Sequence, residues 1–191
     1  MTEPVRTPSL RSAREELDED RFAELVIYIA GKLQDDPSFG DTKLNKTLCF
    51  CDFTAFATLG HTITGAQYHR QPRGPLARPL PRIRDELIAA GDVTVEMKKV
   101  YTHSRRVTTP TREADPSVFS HEELEIIDDV IRQVRPHNAT SISEVSHRII
   151  AGWTVLDDGE TIPPETLFVD TAPFSADERA LAGHLAAKHA R

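Results

Sequence analysis

The sequence predicts an α+β fold: one mostly helical domain with a small antiparallel sheet or hairpin, and a winged-helix-like order of elements in its middle. Three observations predict it. Apolar residues recur at helical spacing in several separate segments, residues 92–97 alternate apolar and polar, and a Pro- and Gly-laden break between Gly60 and Pro81 rules out an uninterrupted helical bundle. With 191 residues, 39% hydrophobic and 28% charged, the chain suits one well-buried domain. The reading places that domain at residues 18–170, between a flexible tail at 1–17 and a helical extension at 171–191.

Residues 1–17 mix Thr, Ser, Pro, Arg and Glu without apolar periodicity. From Asp20, the residues Phe22, Leu25, Val26, Ile29 and Leu33 share one helix face until Asp35-Asp36-Pro37 stops the helix. A second helix opens near Asp41 or Thr42, both capping types, and runs through Leu44, Leu48, Cys51 and Ala55 to Gly60. Phe50, Phe53 and Phe56 occupy its other faces, so it is expected to be the central, mostly buried helix. Thr62, Ile63, Thr64 and Tyr68 favour a short strand before a tight turn. Pro81 suits a first helical turn and Gly91 a helix end; the alternation from Val93 to Met97 then starts a hairpin reaching Val107. Ser120 with Glu123 spells a capping box, and Phe119 with Leu124 a hydrophobic staple, for a helix ending before Pro136. Ser141 with Glu144 and Ser175 with Glu178 repeat the box ahead of two further helices.

The longest apolar run, near Leu25 to Ala30, is far short of the ~20 residues of a membrane-spanning helix, and Met1 to Ser12 has no hydrophobic signal core. A cytoplasmic location is expected. The formal net charge of -7 is unevenly spread: Lys and Arg against Asp and Glu number 7 to 11 in residues 1–60, 10 to 4 in 61–112, and 6 to 15 in 113–191. The basic middle is either solvated charge partly paired with the acidic ends, or a surface facing an acidic protein or a phosphate backbone.

Known chemistry is hard to place. The eight histidines form no HExxH and no zinc-finger quartet, and Cys49 and Cys51, two apart on a helix, point to different sides. No metal and no cofactor are expected. Phosphate-binding glycine loops and the GxSxG elbow are absent, and adjacent Ser146 and His147 diverge by roughly 100° on a helix. An enzyme is not expected. What stands out is polarity inside the most apolar helix: Lys43, Asn45 and Lys46 in its first turns, and Asp52 in its middle. Buried charge must be partnered. Asp52 either pairs with a nearby Lys or Arg and braces the turn at Gly74, or joins the others in lining a recognition groove. His147 is read as a core histidine bonded to backbone, against a ligand-binding alternative.

These residues fall in a known order. Lys43-Leu44-Asn45-Lys46, Phe50-Cys51-Asp52-Phe53, Ile63-Thr64-Gly65-Ala66 with Tyr68, Arg73-Gly74-Pro75, Ser120 to Glu123, Ile142-Ser143, Ser146-His147, Trp153 and Ile162-Pro163 resemble the Panacea domain family of SocA-like antitoxins, over about residues 20–165. Cys51 stands where a small alanine is usual and Phe119 where Leu is common, both apolar replacements. The resemblance implies a phage-defence-type antitoxin that neutralises a protein toxin, encoded by an adjacent gene, through direct binding; one branch implies a proteolytic adaptor with a protease as further partner. Self-association stays open. As aromatic and Arg anchors of a toxin-binding interface, the docking candidates are Tyr68, Arg70, Arg73, Arg78 and Tyr101. A different class, the DNA-binding regulator, rests on the helix, helix and hairpin order of residues 42–109, with Arg82 and Arg84 as the cations of its second helix.

Overall fold

The computed structural model describes residues 16–168 apart from 101 and 102, so most of the expected tail, Tyr101 and the expected helix at 171–191 lie outside the described residues. Helix α1 (Glu19–Leu33) starts where the Asp18 carboxylate accepts the Arg21 N–H at 3.0 Å. Its expected stripe is the core face: Phe22, Leu25, Val26, Ile29 and Leu33 are all buried. Helix α2 (Asp41–Leu59) is the hub, buried without a break from Lys43 through Phe53 and packed against α1 and two later helices. Gly60, at φ 84°, ends it in the left-handed conformation that a side chain would resist.

Its start differs from expectation. Gly40 precedes the helix with no side-chain cap, and the Asp41 carboxylate instead meets Arg84 at 2.6 Å. An arginine from another element outcompetes the backbone donors for that carboxylate.

The break after α2 folds into strands β1 (Tyr68–His69) and β2 (Leu76–Ala77), paired antiparallel with Tyr68 opposite Ala77. Thr62 to Thr64 are not strand, contrary to expectation, because their backbone donors turn toward α2. Helix α3 (Leu80–Ala90) carries Pro81 in its first turn and closes at Gly91. Strands β3 (Val93–Val100) and β4 (His103–Pro110) make the expected hairpin, registered from Val93 opposite Pro110 to Val100 opposite His103.

Helix α4 (His121–Val134) has the full capping box of Ser120 and Glu123. Helix α5 (Ala139–Ile149) starts one box earlier than expected: Asn138 is the cap, accepting the N–H groups of Thr140 and Ser141, and Ser141 is the reciprocal partner. A short helix α6 (Ala151–Val155) carries Trp153, and strand β5 (Thr161–Ile162) joins the far side of β1, giving the order β2-β1-β5. The chain is therefore α+β and mostly helical. No described helix is long and apolar enough to cross a membrane.

Candidate functional site

The polar residues of α2 organise three separate networks, each tying the central helix to a segment outside it. Asp52 is fully buried and accepts four hydrogen bonds: Oδ1 from the N–H groups of Ile63 (2.9 Å) and Thr64 (2.8 Å), and Oδ2 from the hydroxyls of Thr64 (2.6 Å) and Tyr68 (2.7 Å). The expectation that it pairs with a Lys or Arg and braces the turn at Gly74 is corrected. The Gly60 turn brings the next segment back along α2, and its backbone donors reach the carboxylate first. Burial pushes Asp52 up to about 6, against the lowering influence of these four donors.

Lys43 is buried completely, its ammonium held by Asp36, the Ser38 hydroxyl (3.1 Å) and the main-chain carbonyls of Arg135 (2.9 Å) and His137. It joins the α1–α2 loop to the α4–α5 loop. Burial acts to raise the Asp36 carboxyl, but hydrogen bonds from Lys43 and Ser38 outweigh it and hold the group below the usual carboxylate range. Sequence reasoning took Asp36 only as a helix stop; its role shows itself only when Lys43 is seen to be buried. Asn45 sits between these two networks. Its amide donates to the Asp41 carbonyl and its Oδ1 accepts the Ala77 N–H, pinning β2 onto α2.

The third network gathers residues from four segments. Lys46 donates to the Arg73 carbonyl, and burial lowers its ammonium to about 8. Gly74 lies over it at φ 101°; a β-carbon there would come 2.6 Å from Cε and Nζ of Lys46 and 2.8 Å from Oγ of Ser146. Pro75 follows, buried, and the Trp153 indole donates to the Gln71 carbonyl at 2.8 Å, closing the Gln71–Gly74 turn from the other side. His147 stacks on Trp153 with centroids 3.5 Å apart and planes at 10°, and the Arg70 guanidinium lies 4.8 Å from the Trp153 ring.

The backbone-bonded reading of His147 is corrected: stacking holds the ring, and its buried Nε2 has no hydrogen-bond partner among the described residues. Desolvation first, then the charges of Lys46 and Arg70, lower its basicity. The Ser146 hydroxyl donates to the Ser143 carbonyl and is fully buried, so it is not directed at His147 for nucleophilic work. Gly74→Ala is expected to cost about 1–3 kcal/mol from backbone strain alone, before any displacement of Lys46. Urea unfolding measures this, and an unchanged midpoint would mean that the turn is not clamped as described.

The expected docking residues scatter. Tyr68 is 1% exposed and committed to Asp52, which leaves it no part in an exposed surface. Arg70 is largely internal, bonded through Nε to the Trp153 carbonyl and ion-paired with Asp158. Gly65 takes part in the loop over Asp52, its N–H donating to the Thr62 hydroxyl. Arg73 and Arg78 are exposed, and Tyr101 lies outside the described residues. Among the described residues, no three His, Cys, Asp or Glu side chains are grouped to hold a metal ion.

The Asp52 and Lys46 networks and the Gln71–Gly74 turn lie within a stretch that one family model matches: Antitoxin SocA-like, Panacea domain, over residues 44–154, more than half of the chain. The chain belongs to the SocA-like Panacea antitoxin family. No curated protein and no solved structure matches it in the corresponding searches. In this Panacea domain the motif residues Asn45, Lys46, Asp52, Gly65, Tyr68, Gly74, Ser146, His147 and Trp153 are partners in framework contacts.

Proposed function

We propose that this protein neutralises a cognate protein toxin, the growth-inhibiting product of an adjacent gene, by direct binding in the cytoplasm and without catalysis of its own. The observation that carries the reading is the match to the antitoxin-like domain, joined to a motif set spent on holding one rigid shape. A preformed surface loses little conformational entropy on binding, as occlusion of a partner's active site requires. A stable complex of this kind buries about 1,200–2,000 Å².

The DNA-binding alternative finds less support. Arg82 on α3 is engaged by Glu19 at 2.5 Å and Glu86 at 2.7 Å, and Arg84 is 5% exposed against Asp41, so neither is presented to base edges. The test is co-expression with the neighbouring gene, followed by affinity purification of the pair. Rescue of growth together with a co-purifying complex is expected. A neighbouring product that is harmless, or that this chain neither binds nor counteracts, would overturn the reading, and toxin loss that depends on a protease would favour the adaptor.

A further inference from the structure

Two cavities meet at the N-terminal end of α2. One, of about 320 Å³, lies against the hairpin and is lined by Ser38, Met97, Arg105 and Arg106 among others; the second, of about 340 Å³, lies against the Gln71–Pro75 turn and reaches Leu76. Asp41, Thr42 and Arg73 line both, so the two form one elongated cleft.

Its charge is uneven in a useful way. Among the described residues Asp41 is the only carboxylate on either wall, and it is already neutralised by Arg84 at 2.6 Å and Arg106 at 3.6 Å. Arg73 is exposed and makes no ion pair with any described residue. Arg106 keeps a side chain 49% exposed. Arg105 donates through one nitrogen to the Pro37 carbonyl, yet its buried Nε has no acceptor among the described residues. Apolar surface accompanies the cations: Met97 is 62% exposed and Leu76 38%.

We infer that this cleft docks an acidic, extended segment of the protein partner, with carboxylates against Arg73 and Arg106 and an apolar side chain on Met97 or Leu76. The inference rests on the neutralisation reading for the partner's identity, but the cleft's chemistry stands independently of it. Three arginines mixed with exposed Met and Leu match a peptide better than a phosphate backbone, which rewards a long run of solvated cations.

The test uses the full chain, the double variant Arg73→Glu with Arg106→Glu, and a control of equal charge change, Arg132→Glu with Arg148→Glu, all checked for unchanged melting. Affinity for the neighbouring gene's product is measured at two salt concentrations, beside a labelled peptide of alternating Glu and Leu and a short DNA duplex. The cleft variant is expected to lose about tenfold or more in affinity for the product and for the peptide, with a flatter salt dependence, while the control keeps both. Parental affinity of the cleft variant for the product would overturn the cleft and leave the neutralisation reading intact. Should the product fail to bind the parent chain, that reading falls, and the peptide decides: cleft-dependent capture supports the cleft, and no capture overturns it. Cleft-dependent binding of the duplex in preference to the peptide would also overturn it.

Discussion

Replacing Lys43 with methionine is expected to destabilise the fold by about 3–5 kcal/mol, the range for removing one partner of a buried ion pair. For a chain of this size that is a fall in Tm on the order of 10 °C. The side chain is 0% exposed and its ammonium meets one carboxylate, one hydroxyl and two carbonyls. Methionine fills much the same space but leaves the Asp36 carboxylate buried with only the Ser38 donors, and takes the ammonium donor from the carbonyls of Arg135 and His137, the second of which keeps the Ser38 hydroxyl. Adding Asp36→Asn to Lys43→Met removes the orphaned charge and should recover part of the loss, a coupling that a double-mutant cycle measures. Because Asp36 is held below the usual carboxylate range, its contribution is present above the unfolded value and is lost as pH falls through the folded one. A Lys43→Met protein that melts with its parent would show that the cage carries no net stability.

Asp52→Ala is expected to cost a similar amount, about 3–5 kcal/mol, by a different route. It strands two backbone N–H groups and two hydroxyls that are buried, each worth about 1–3 kcal/mol when left unsatisfied, partly offset by removal of a desolvated charge. Asp52→Asn keeps the shape and one acceptor oxygen for the two N–H groups, and the hydroxyls of Thr64 and Tyr68 are able to accept from its amide. Its cost at pH 7 should be clearly smaller. The pH dependence separates the two variants further. A carboxyl raised to about 6 in the fold takes up its proton before the unfolded chain does, so its contribution to stability is greatest below the unfolded value and declines as pH rises through 6. The stability difference between parent and Asp52→Asn should therefore shift toward the parent on acidification from pH 7 to pH 4, by up to about 3 kcal/mol. A difference that stays flat over that range would show that Asp52 titrates as an ordinary aspartate.

Local signals in the sequence were read well where the physics is local. The capping box at Ser120 and Glu123 involves residues three apart, and it forms as expected. At α5 the same logic points to Ser141 with Glu144, and Asn138, three residues earlier, prevails through a bidentate cap that periodicity does not reveal. Strand β5 escaped notice because two residues carry no alternation; it exists through pairing with β1 more than ninety residues earlier.

The candidate site divides the same way. That Lys43, Asn45, Lys46 and Asp52 interrupt an apolar helix is visible in order and composition, and so is the family they resemble. Which group satisfies each of them was not visible: Asp52 takes backbone and hydroxyl donors in place of the expected cation, and Tyr68 turns inward to it. Arg73 and Arg106 belong to different segments, and nothing in either segment announces that they line one cleft.

By itself the sequence determined the helical faces, the hairpin, the central place of α2 and the demand that its charges be met, because periodicity and desolvation cost act residue by residue. Only the tertiary structure decided which partner meets each charge and where the exposed arginines of the cleft collect. Several donors and acceptors of equal chemical fitness compete for each buried group, and the packing of distant segments selects among them.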